Sequence, residues 1–383
     1  MSRSAPILRY ILLPALAFTL SCAGGTTEPG GGDAPPLLDA LPRPLTAGEQ
    51  SIVGAANDFS FSLFKAVNSS PDSNVFTSPL SASFALGMTM NGAAGTTYDQ
   101  MRSALGFGTT SEAEINGGYK GLVAMLRGLD PQVDLRIANS IWYDKTQAVN
   151  PSFVETSRNY FDAQVTALVF SDPASVTKIN DWVSAATAQK IPKIVDALEQ
   201  DLVMVLVNAI YFKGSWRERF DPAQTIDAPF HGVAGDQPAK LMHRTGTMGH
   251  LSTTDYDAVD LPYGNSAFTM TVVLPQAGTS VEAVASSLQS EAWSTAMGQL
   301  RTVDVDLYLP RFRMEWSRTM NDDLKSLGMR DAFVDGGADF SRIAPNGLFI
   351  SYVKQKSYVD VNEEGTEAAA ATAVGISVTS APQ

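Results

Sequence analysis

The stretch "NVFTSPLSASFALGMTMNGAAGTT", early in the chain, limits the available folds more than any other. A helix can begin at Ser78-Pro79, because proline is favoured in a first turn, and can end at Asn91-Gly92. The residues between are nearly all apolar or small, so the predicted helix has no polar face. Because a helix that is apolar all round must be covered on every side, it belongs in the middle of a large protein.

Later segments predict strands. The runs "LVMVLVNAIYFKGSW" and "FTMTVVLP" are continuously apolar, which is typical of strands covered on both faces. The run "VDVDLYLPRF" alternates, which indicates a strand with one exposed face. Of the 383 residues, 44% are hydrophobic and 17% charged, a mixture that can bury a large core. We expect one α+β domain over residues 49–383.

The composition argues against several classes of function. The formal net charge of −13 disfavours nucleic acid and anionic membrane surfaces as partners. The chain contains no nucleophile elbow and no phosphate-binding loop, and His231, His243 and His250 lack metal-ligand spacing. We therefore expect no enzyme activity, no cofactor and no metal.

The N-terminus has the features of an export signal. Arg3 and Arg9 precede an apolar run over residues 10–20 that is too short to span a bilayer, so residues 1–22 are interpreted as a signal peptide. Residues 23–48 are rich in glycine and proline and predict a flexible linker. We expect an exported protein, either a cell-envelope lipoprotein or a secreted one.

Cys22 is the only cysteine, so it cannot form an internal disulfide. Its context, "TLSCAGG", is similar to the lipobox of bacterial lipoproteins, although leucine lies two residues before the cysteine and not three. Lipidation of Cys22 would be the chain's one link to a membrane. The alternative is ordinary cleavage near Ser21 with an incidental cysteine.

The C-terminal stretch "VNEEGTEAAAATAVGISVTSAPQ" has the pattern of a strand. Alternate residues of a strand share a face. From Thr366 to Val378 the even positions are small and then β-branched, while the odd positions are polar or tiny. We expect a strand with one buried face, small enough to slide between two paired strands and gain hydrogen bonds on both edges. Composition alone would also allow an alanine-rich helix capped by Thr366, or a disordered end.

From about residue 50 onward the chain resembles the serpins. The likeness rests on "NVFTSPLSASFALGMTMNGAAGTT", "LVNAIYFKGSWRERFD", "LPRFRMEWSRTMNDDLKSLGMRDAF" with "ADFSRIA", and "VNEEGTEAAAATAV", in the family's order. The resemblance implies a large, mostly antiparallel central sheet, two smaller sheets, eight or nine helices and an exposed reactive loop at 363–383. It also implies a suicide inhibitor, whose loop is cut by a protease and then inserts into the sheet while the protease remains covalently attached as an acyl-enzyme.

The resemblance assigns roles to the loop residues. The reactive bond falls at Thr379–Ser380, within one or two residues. No lysine, arginine or aromatic residue occurs from Gly365 onward, so elastase-like or subtilisin-like targets are expected. Val378 would also suit papain-like cysteine proteases. The hinge that inserts first comprises Glu363, Glu364, Gly365, Thr366, Glu367, Ala368, Ala369, Ala370, Ala371 and Thr372.

The resemblance also assigns roles to single residues outside the loop. Ser78, Ser81 and Asn208 fall in a polar cluster beneath the strands that part, the shutter, where Gln355 replaces a usual histidine. Trp216 falls where the loop first enters the sheet, the breach, and Arg311 falls where a cation often pairs with Glu363. The segment "TTSEAEINGGYKGLV" is not basic, so no heparin-like activator is expected.

Two alternatives remain. Non-inhibitory serpins, which are carriers or structural proteins, typically have bulky or charged hinges, whereas this hinge is small. Serpins also continue for a few dozen residues beyond the reactive bond, while this chain stops at Gln383 without those strands. We therefore expect an inactive fragment or a truncated product, with residues 366–378 already inserted as a central strand.

Overall fold

The computed structural model describes residues 35–69, 74–232, 235–345 and 347–379. These contain nine α-helices and eleven β-strands. The helices are α1 (Ala47–Asn68), α2 (Pro79–Met90), α3 (Gly95–Ala104), α4 (Glu112–Leu126), α5 (Pro151–Phe161), α6 (Ala174–Ala186), α7 (Val281–Ser287), α8 (Ser290–Gly298) and α9 (Asn321–Ser326). The strands are β1 (Val133–Asp144), β2 (Ala163–Leu168), β3 (Leu202–Ser215), β4 (Ile226–Gly232), β5 (Gly235–Ser252), β6 (Tyr256–Pro262), β7 (Thr269–Pro275), β8 (Arg301–Pro310), β9 (Phe312–Thr319), β10 (Leu348–Asn362) and β11 (Gly365–Val378).

The central sheet has six strands in the order β2-β1-β3-β11-β10-β9. Only β1 and β2 are parallel; every other pair is antiparallel. The C-terminal strand β11 lies between β3 and β10 and pairs with both along almost its whole length. The architecture is therefore α+β, and the C-terminal segment is an inserted central strand, as the sequence predicted.

The remaining strands form one connected five-stranded sheet. The 18-residue β5 pairs with β4, β8 and β6 in turn, so the two smaller sheets expected from the resemblance are joined through it. The prediction that "FTMTVVLP" is covered on both faces is wrong. Among the described strands it forms β7, an edge strand that pairs with β6 alone. None of its residues is fully buried and Leu274 is 65% exposed, because side chains at the margin of a sheet have fewer neighbours to cover them than those at its centre.

The apolar helix predicted from the sequence is α2, and it lies beneath the central sheet. Pro79 starts it, the Ser78 hydroxyl accepts a hydrogen bond from the Ser81 amide, and Asn91 ends it. Its residues from Ser81 to Met90 are all buried, and it contacts β3 and β11. A fully covered α2 therefore forms the floor beneath the inserted strand.

The expectation that β11 has only one buried face is also wrong. Its even face joins the main core through Val374 and Ile376. Its odd face is covered as well, since Ala371 and Ala373 are both 0% exposed. They pack in a second apolar cluster that includes Ile179 and Val183 of α6 and Ile191 and Ile194 of the segment after it. Because α6 and that segment lie across the sheet, β11 is buried on both sides.

Candidate functional site

The hinge begins at the turn between β10 and β11. Glu363 and Glu364 form this turn, and the Glu364 amide donates to the Asn362 side-chain oxygen at 3.0 Å. Gly365 follows where two backbones meet, since a Cβ there would lie 2.1 Å from the Gly214 carbonyl oxygen. Only glycine avoids that collision, so the first residue of β11 is fixed by close approach of the chains.

The Glu363 carboxylate is buried and paired. It accepts hydrogen bonds from the Arg311 guanidinium, with Nε at 2.6 Å, and from the Thr225 hydroxyl. Burial opposes ionisation of Glu363, but these hydrogen bonds outweigh it and hold its pKa below the usual value. The structure thus brings Arg311 and Glu363 together, and it adds Thr225, which the sequence did not indicate.

Trp216 closes this end of the sheet. Its indole nitrogen donates to the Asn362 carbonyl at 2.8 Å, and its backbone amide donates to the Glu364 carbonyl at 2.9 Å. Its ring stacks on Tyr263 with the centroids 4.6 Å apart. The Tyr263 hydroxyl in turn donates to the Thr366 oxygen at 2.6 Å. Trp216 therefore binds the backbone of the turn, and its stacking partner binds the first side chain beyond it.

Glu367 has two partners that the sequence analysis missed. Its carboxylate lies 2.8 Å from the Lys190 amine and accepts from the Tyr211 hydroxyl at 2.6 Å. Burial raises the pKa of Glu367, but these partners outweigh that effect and lower it. The one signal in the sequence was Glu367 itself, an acidic residue among the small side chains of residues 365–372, which indicates that a cation should lie opposite it.

The small hinge residues fit between large neighbours. Ala369 lies between Tyr211 on β3 and Tyr358 on β10, because the strands pair it with both. Ala368 likewise lies between Phe212 and Val359. Larger side chains at these positions would have to displace packed rings, so small residues allow the strand to fit without rearranging either neighbour.

Gln355 lies at the centre of a buried polar cluster. Its side-chain oxygen accepts from the Thr77 hydroxyl at 2.7 Å and the Ser78 amide at 2.8 Å. Its nitrogen donates to the Ser78 carbonyl at 2.9 Å and to the Thr372 hydroxyl at 2.8 Å. The Ser81 hydroxyl lies 3.0 Å from the same Thr372 oxygen. The structure therefore unites Gln355, Ser78 and Ser81, with Thr372 of the inserted strand as their link.

Asn208 lies beside this cluster and not within it. Its amide donates to the Asn139 oxygen at 2.9 Å, and Asn139 donates to the Phe161 carbonyl at 2.7 Å. Strand pairing nevertheless aligns Asn208 with Thr372, which pairs with Gln355 in turn. We call the resulting line the polar row, and its members on five adjacent strands are Asn139, Asn208, Thr372, Gln355 and Arg318.

Of the predicted reactive-bond and lipidation residues, the structure describes only Thr379. The Thr379 amide donates to the Gly347 carbonyl at 2.9 Å, directly after β11. Ser380 and Cys22 both lie outside the described residues. Residues 35–48 of the predicted linker are described; the last two begin α1, and the Leu38 amide donates to the Asn265 carbonyl at 2.9 Å.

Two properties of the described residues bear on partners. No helix there is both long and apolar enough to cross a membrane. Within the same ranges no group of three or more histidine, cysteine or acidic side chains could hold a metal ion. The segment "TTSEAEINGGYKGLV", in which a heparin-like activator would need basic residues, lies mostly in α4, whose first turn contains Glu112 and Glu114. Independence from a heparin-like activator stays a prediction.

Comparison with known proteins identifies the family. A family model described as serpin, serine protease inhibitor, matches residues 54–383. The leukocyte elastase inhibitor of Sus scrofa is 35% identical over 342 residues, which cover 85% of this chain and 89% of that protein.

Two solved structures share the fold. Reactive-loop-cleaved human thyroxine-binding globulin matches with a TM-score of 0.82 at 28% identity, covering 87% of this chain and 100% of that one. The thermophilic serpin tengpin in the latent state matches with a TM-score of 0.80 at 31% identity, covering 87% and 90%. Because the family model matches most of its length and the central sheet has six strands, this chain belongs to the serpin family.

Proposed function

We propose that this protein is a suicide inhibitor of serine proteases that is cut at Thr379–Ser380 and inserts its hinge into the central sheet. The observation that carries the proposal is the fit of the 14-residue β11 between β3 and β10. Its side chains are small where the neighbours are large, and it satisfies backbone hydrogen bonds on both edges. A segment of this kind can serve as a loop before cleavage and as a strand afterwards.

The free energy for inhibition comes from the difference between these two states. Outside the sheet, residues 366–378 would expose their apolar side chains, and their own backbone groups would have no strand partner. Inside it, Val374 and Ile376 are completely buried and Glu367 gains its partners. Burial of apolar area and completion of strand pairing both favour insertion.

Insertion would move the attached protease far from its starting point. The strand from Gly365 to Thr379 spans roughly 45–50 Å at about 3.3 Å per residue. A protease held by an acyl bond at Thr379 would be carried that distance, and compression against the body of the inhibitor would distort its active site before hydrolysis. The turn at Glu363 and Glu364, held by Trp216 and Arg311, supplies the fixed pivot.

The residues at the reactive bond favour a protease with a small pocket. Thr379 and Val378 precede the proposed cut, and neither a cation nor a ring is available for a trypsin-like or chymotrypsin-like pocket. The leukocyte elastase inhibitor among the relatives is consistent with this class. Papain-like cysteine proteases, which read the residue before the cleaved one, are the second class to test.

The test is formation of a covalent adduct. The protein, expressed from its own gene, is incubated with an elastase, subtilisin, papain or trypsin, and the products are separated on a denaturing gel. A band at the summed mass with elastase or subtilisin supports the proposal. Replacing Thr379 with arginine is the matched variant, because it should shift adduct formation toward trypsin while leaving the hinge intact.

The opposing result is clean cleavage without adduct at any ratio of the two proteins. It would identify a substrate or a non-inhibitory serpin, such as a carrier. An adduct with trypsin alone would retain inhibition but overturn the target class.

We also propose that the protein is exported and attached to a membrane through a lipid on Cys22. The support is the lipobox-like context and the preceding apolar run. Growth with a labelled fatty acid should label the wild type and leave a Cys22→Ser variant unlabelled. A processed but unlabelled wild type would instead indicate conventional secretion.

A further inference from the structure

Gly375 lies under an aromatic ring. Strand pairing places it opposite Tyr352 of β10, next to a bulge between Ile350 and Tyr352. A Cβ at position 375 would lie 2.3 Å from Cε1 of Tyr352 and 2.7 Å from Cδ1 and Cζ. A Cβ atom essentially never lies within 3.0 Å of another packed heavy atom, so any side chain at 375 requires the ring or the backbone to move.

We propose that the contact between Tyr352 and Gly375 decides whether insertion runs to completion. The inference rests on the proposed inhibitory function and assigns a role to two residues outside the hinge, shutter and breach. With glycine at 375, the ring lies over the incoming backbone and β11 pairs to its end. With any larger residue, pairing stops before this point.

The position of the contact along the strand gives it this role. Insertion that starts from the turn at 363–364 pairs residues 365–374 before it reaches Gly375. A strand stopped there spans roughly 33 Å at about 3.3 Å per residue, against roughly 45–50 Å for full insertion to Thr379. The protease would then be carried only part of the way, and hydrolysis of the acyl bond could compete.

The expected sign of a substitution separates this inference from ordinary strand propensity. Glycine weakens a strand interior, so alanine at an unobstructed position should strengthen β11. Under the Tyr352 ring, alanine should have the opposite effect, because overpacking a filled site forces side chains or backbone to shift. A Gly375→Ala variant that loses end pairing therefore points to the ring.

Packing, and not a hydrogen bond, holds that ring in place. Among the described residues, the buried Tyr352 hydroxyl has no hydrogen-bond partner. The ring packs at the margin of the apolar cluster that covers the odd face of β11. Tyr352→Phe therefore removes only an unsatisfied group and should leave insertion as it is, which makes it the matched control.

The experiment is a double-variant cycle read by amide exchange. Five proteins are compared in the inserted form. They are the wild type, Gly375→Ala, Tyr352→Phe, Tyr352→Ala and the double variant that carries Gly375→Ala and Tyr352→Ala. We expect Gly375→Ala to accelerate exchange over 374–378 by about tenfold or more while leaving 366–372 unchanged. In the Tyr352→Ala background the same alanine should slow exchange or leave it unchanged.

Two results would overturn the inference. One is normal protection of 374–378 in Gly375→Ala, and the other is equal loss with or without the ring. The Gly375→Ala variant alone could fail to fold. Folding of the Gly375→Ala/Tyr352→Ala variant would then support the ring contact as the cause, and failure of both variants to fold would contradict the inference.

Inhibition provides the second readout. Gly375→Ala should require at least about tenfold more inhibitor per protease inactivated than wild type, with Tyr352→Phe unchanged. If the wild type itself forms no adduct, the proposed inhibitory function fails. The exchange cycle still decides the role of the contact, because it needs no protease.

Discussion

Under the proposed inhibitory function, replacing Thr366 with arginine should turn the protein from an inhibitor into a substrate. Thr366 is the first side chain of β11 after Gly365, is 6% exposed and accepts a hydrogen bond from Tyr263. The nearby Glu363 carboxylate is already paired with Arg311 and Thr225. An inserted guanidinium would therefore be buried without a carboxylate partner, and it would leave the Tyr263 hydroxyl proton without its acceptor.

The magnitude follows from these losses. An uncompensated buried charge costs about 3–5 kcal/mol, and the abandoned hydroxyl adds about 1–3 kcal/mol. Because residue 366 enters the sheet first, we expect most of this cost in the barrier to insertion. Even 3 kcal/mol slows that step about a hundredfold relative to hydrolysis of the acyl bond. The ratio of adduct to cleaved, released inhibitor should therefore fall about a hundredfold.

The assay compares cleavage with adduct formation. Equal amounts of variant and protease are sampled over time on a denaturing gel, and loop cleavage is followed separately by mass spectrometry. Cleavage should proceed at the wild-type rate while the adduct band disappears. Thr366→Ser, which keeps the hydroxyl, is the control and should inhibit normally. Full inhibition by the arginine variant would refute the assignment of residue 366 to a buried, unpaired environment.

Three further predictions concern stability. Gln355→Leu should destabilise the inserted form by about 2–4 kcal/mol in denaturant melts, because Thr77, Ser78 and Thr372 each lose a hydrogen-bond partner, whereas Gln355→His should cost less. The hydrogen bonds from Arg43 lower the pKa of Glu49 to about 2, so its stabilising effect should be complete above about pH 4.3 and lost as the pH falls toward 2. Thermal melts from pH 7 to pH 2 should show this decline, and Glu49→Gln should remove it; equal pH profiles would contradict the pairing. In the inserted form, in which the hinge already lies in the sheet and no adduct can form, the amides of residues 366–378 should exchange slowly and a separate peptide copying them should not raise the melting temperature; fast exchange with peptide-induced stabilisation would mean that the sheet is open and the hinge is free.

Local sequence patterns predicted the elements that are buried or exposed along their whole length. The helix α2 and the strand β3 were evident because every face of each is covered, so their apolar runs are unbroken. The alternation in residues 366–378, taken together with the family motif that precedes it, predicted a strand. The prediction for β7 failed because its apolar residues lie at a sheet edge, and composition does not reveal how many neighbours a strand has.

Contacts between distant segments were not predictable from residue types. Glu367 meets Lys190 and Tyr211, and Tyr211 lies 156 residues away in the chain. The burial of Ala371 depends on α6, which crosses the outer face of the sheet. The family resemblance supplied the pairing of Arg311 with Glu363 and the grouping of Gln355 with Ser78. Neither could be derived from spacing, because each joins two segments that lie far apart in the chain.

The polar row makes the sheet selective about which strand it accepts and in which alignment. Only one residue of β11, Thr372, can hydrogen-bond to Gln355 at that level of the sheet. A slip of two residues in either direction would present Ala370 or Val374 instead, leaving Gln355 with a buried donor unsatisfied. A strand donated by another molecule without a hydroxyl at this level would incur the same penalty. The hydroxyl of Thr372 thereby favours this chain's own strand, in its correct register, over mispaired or foreign strands.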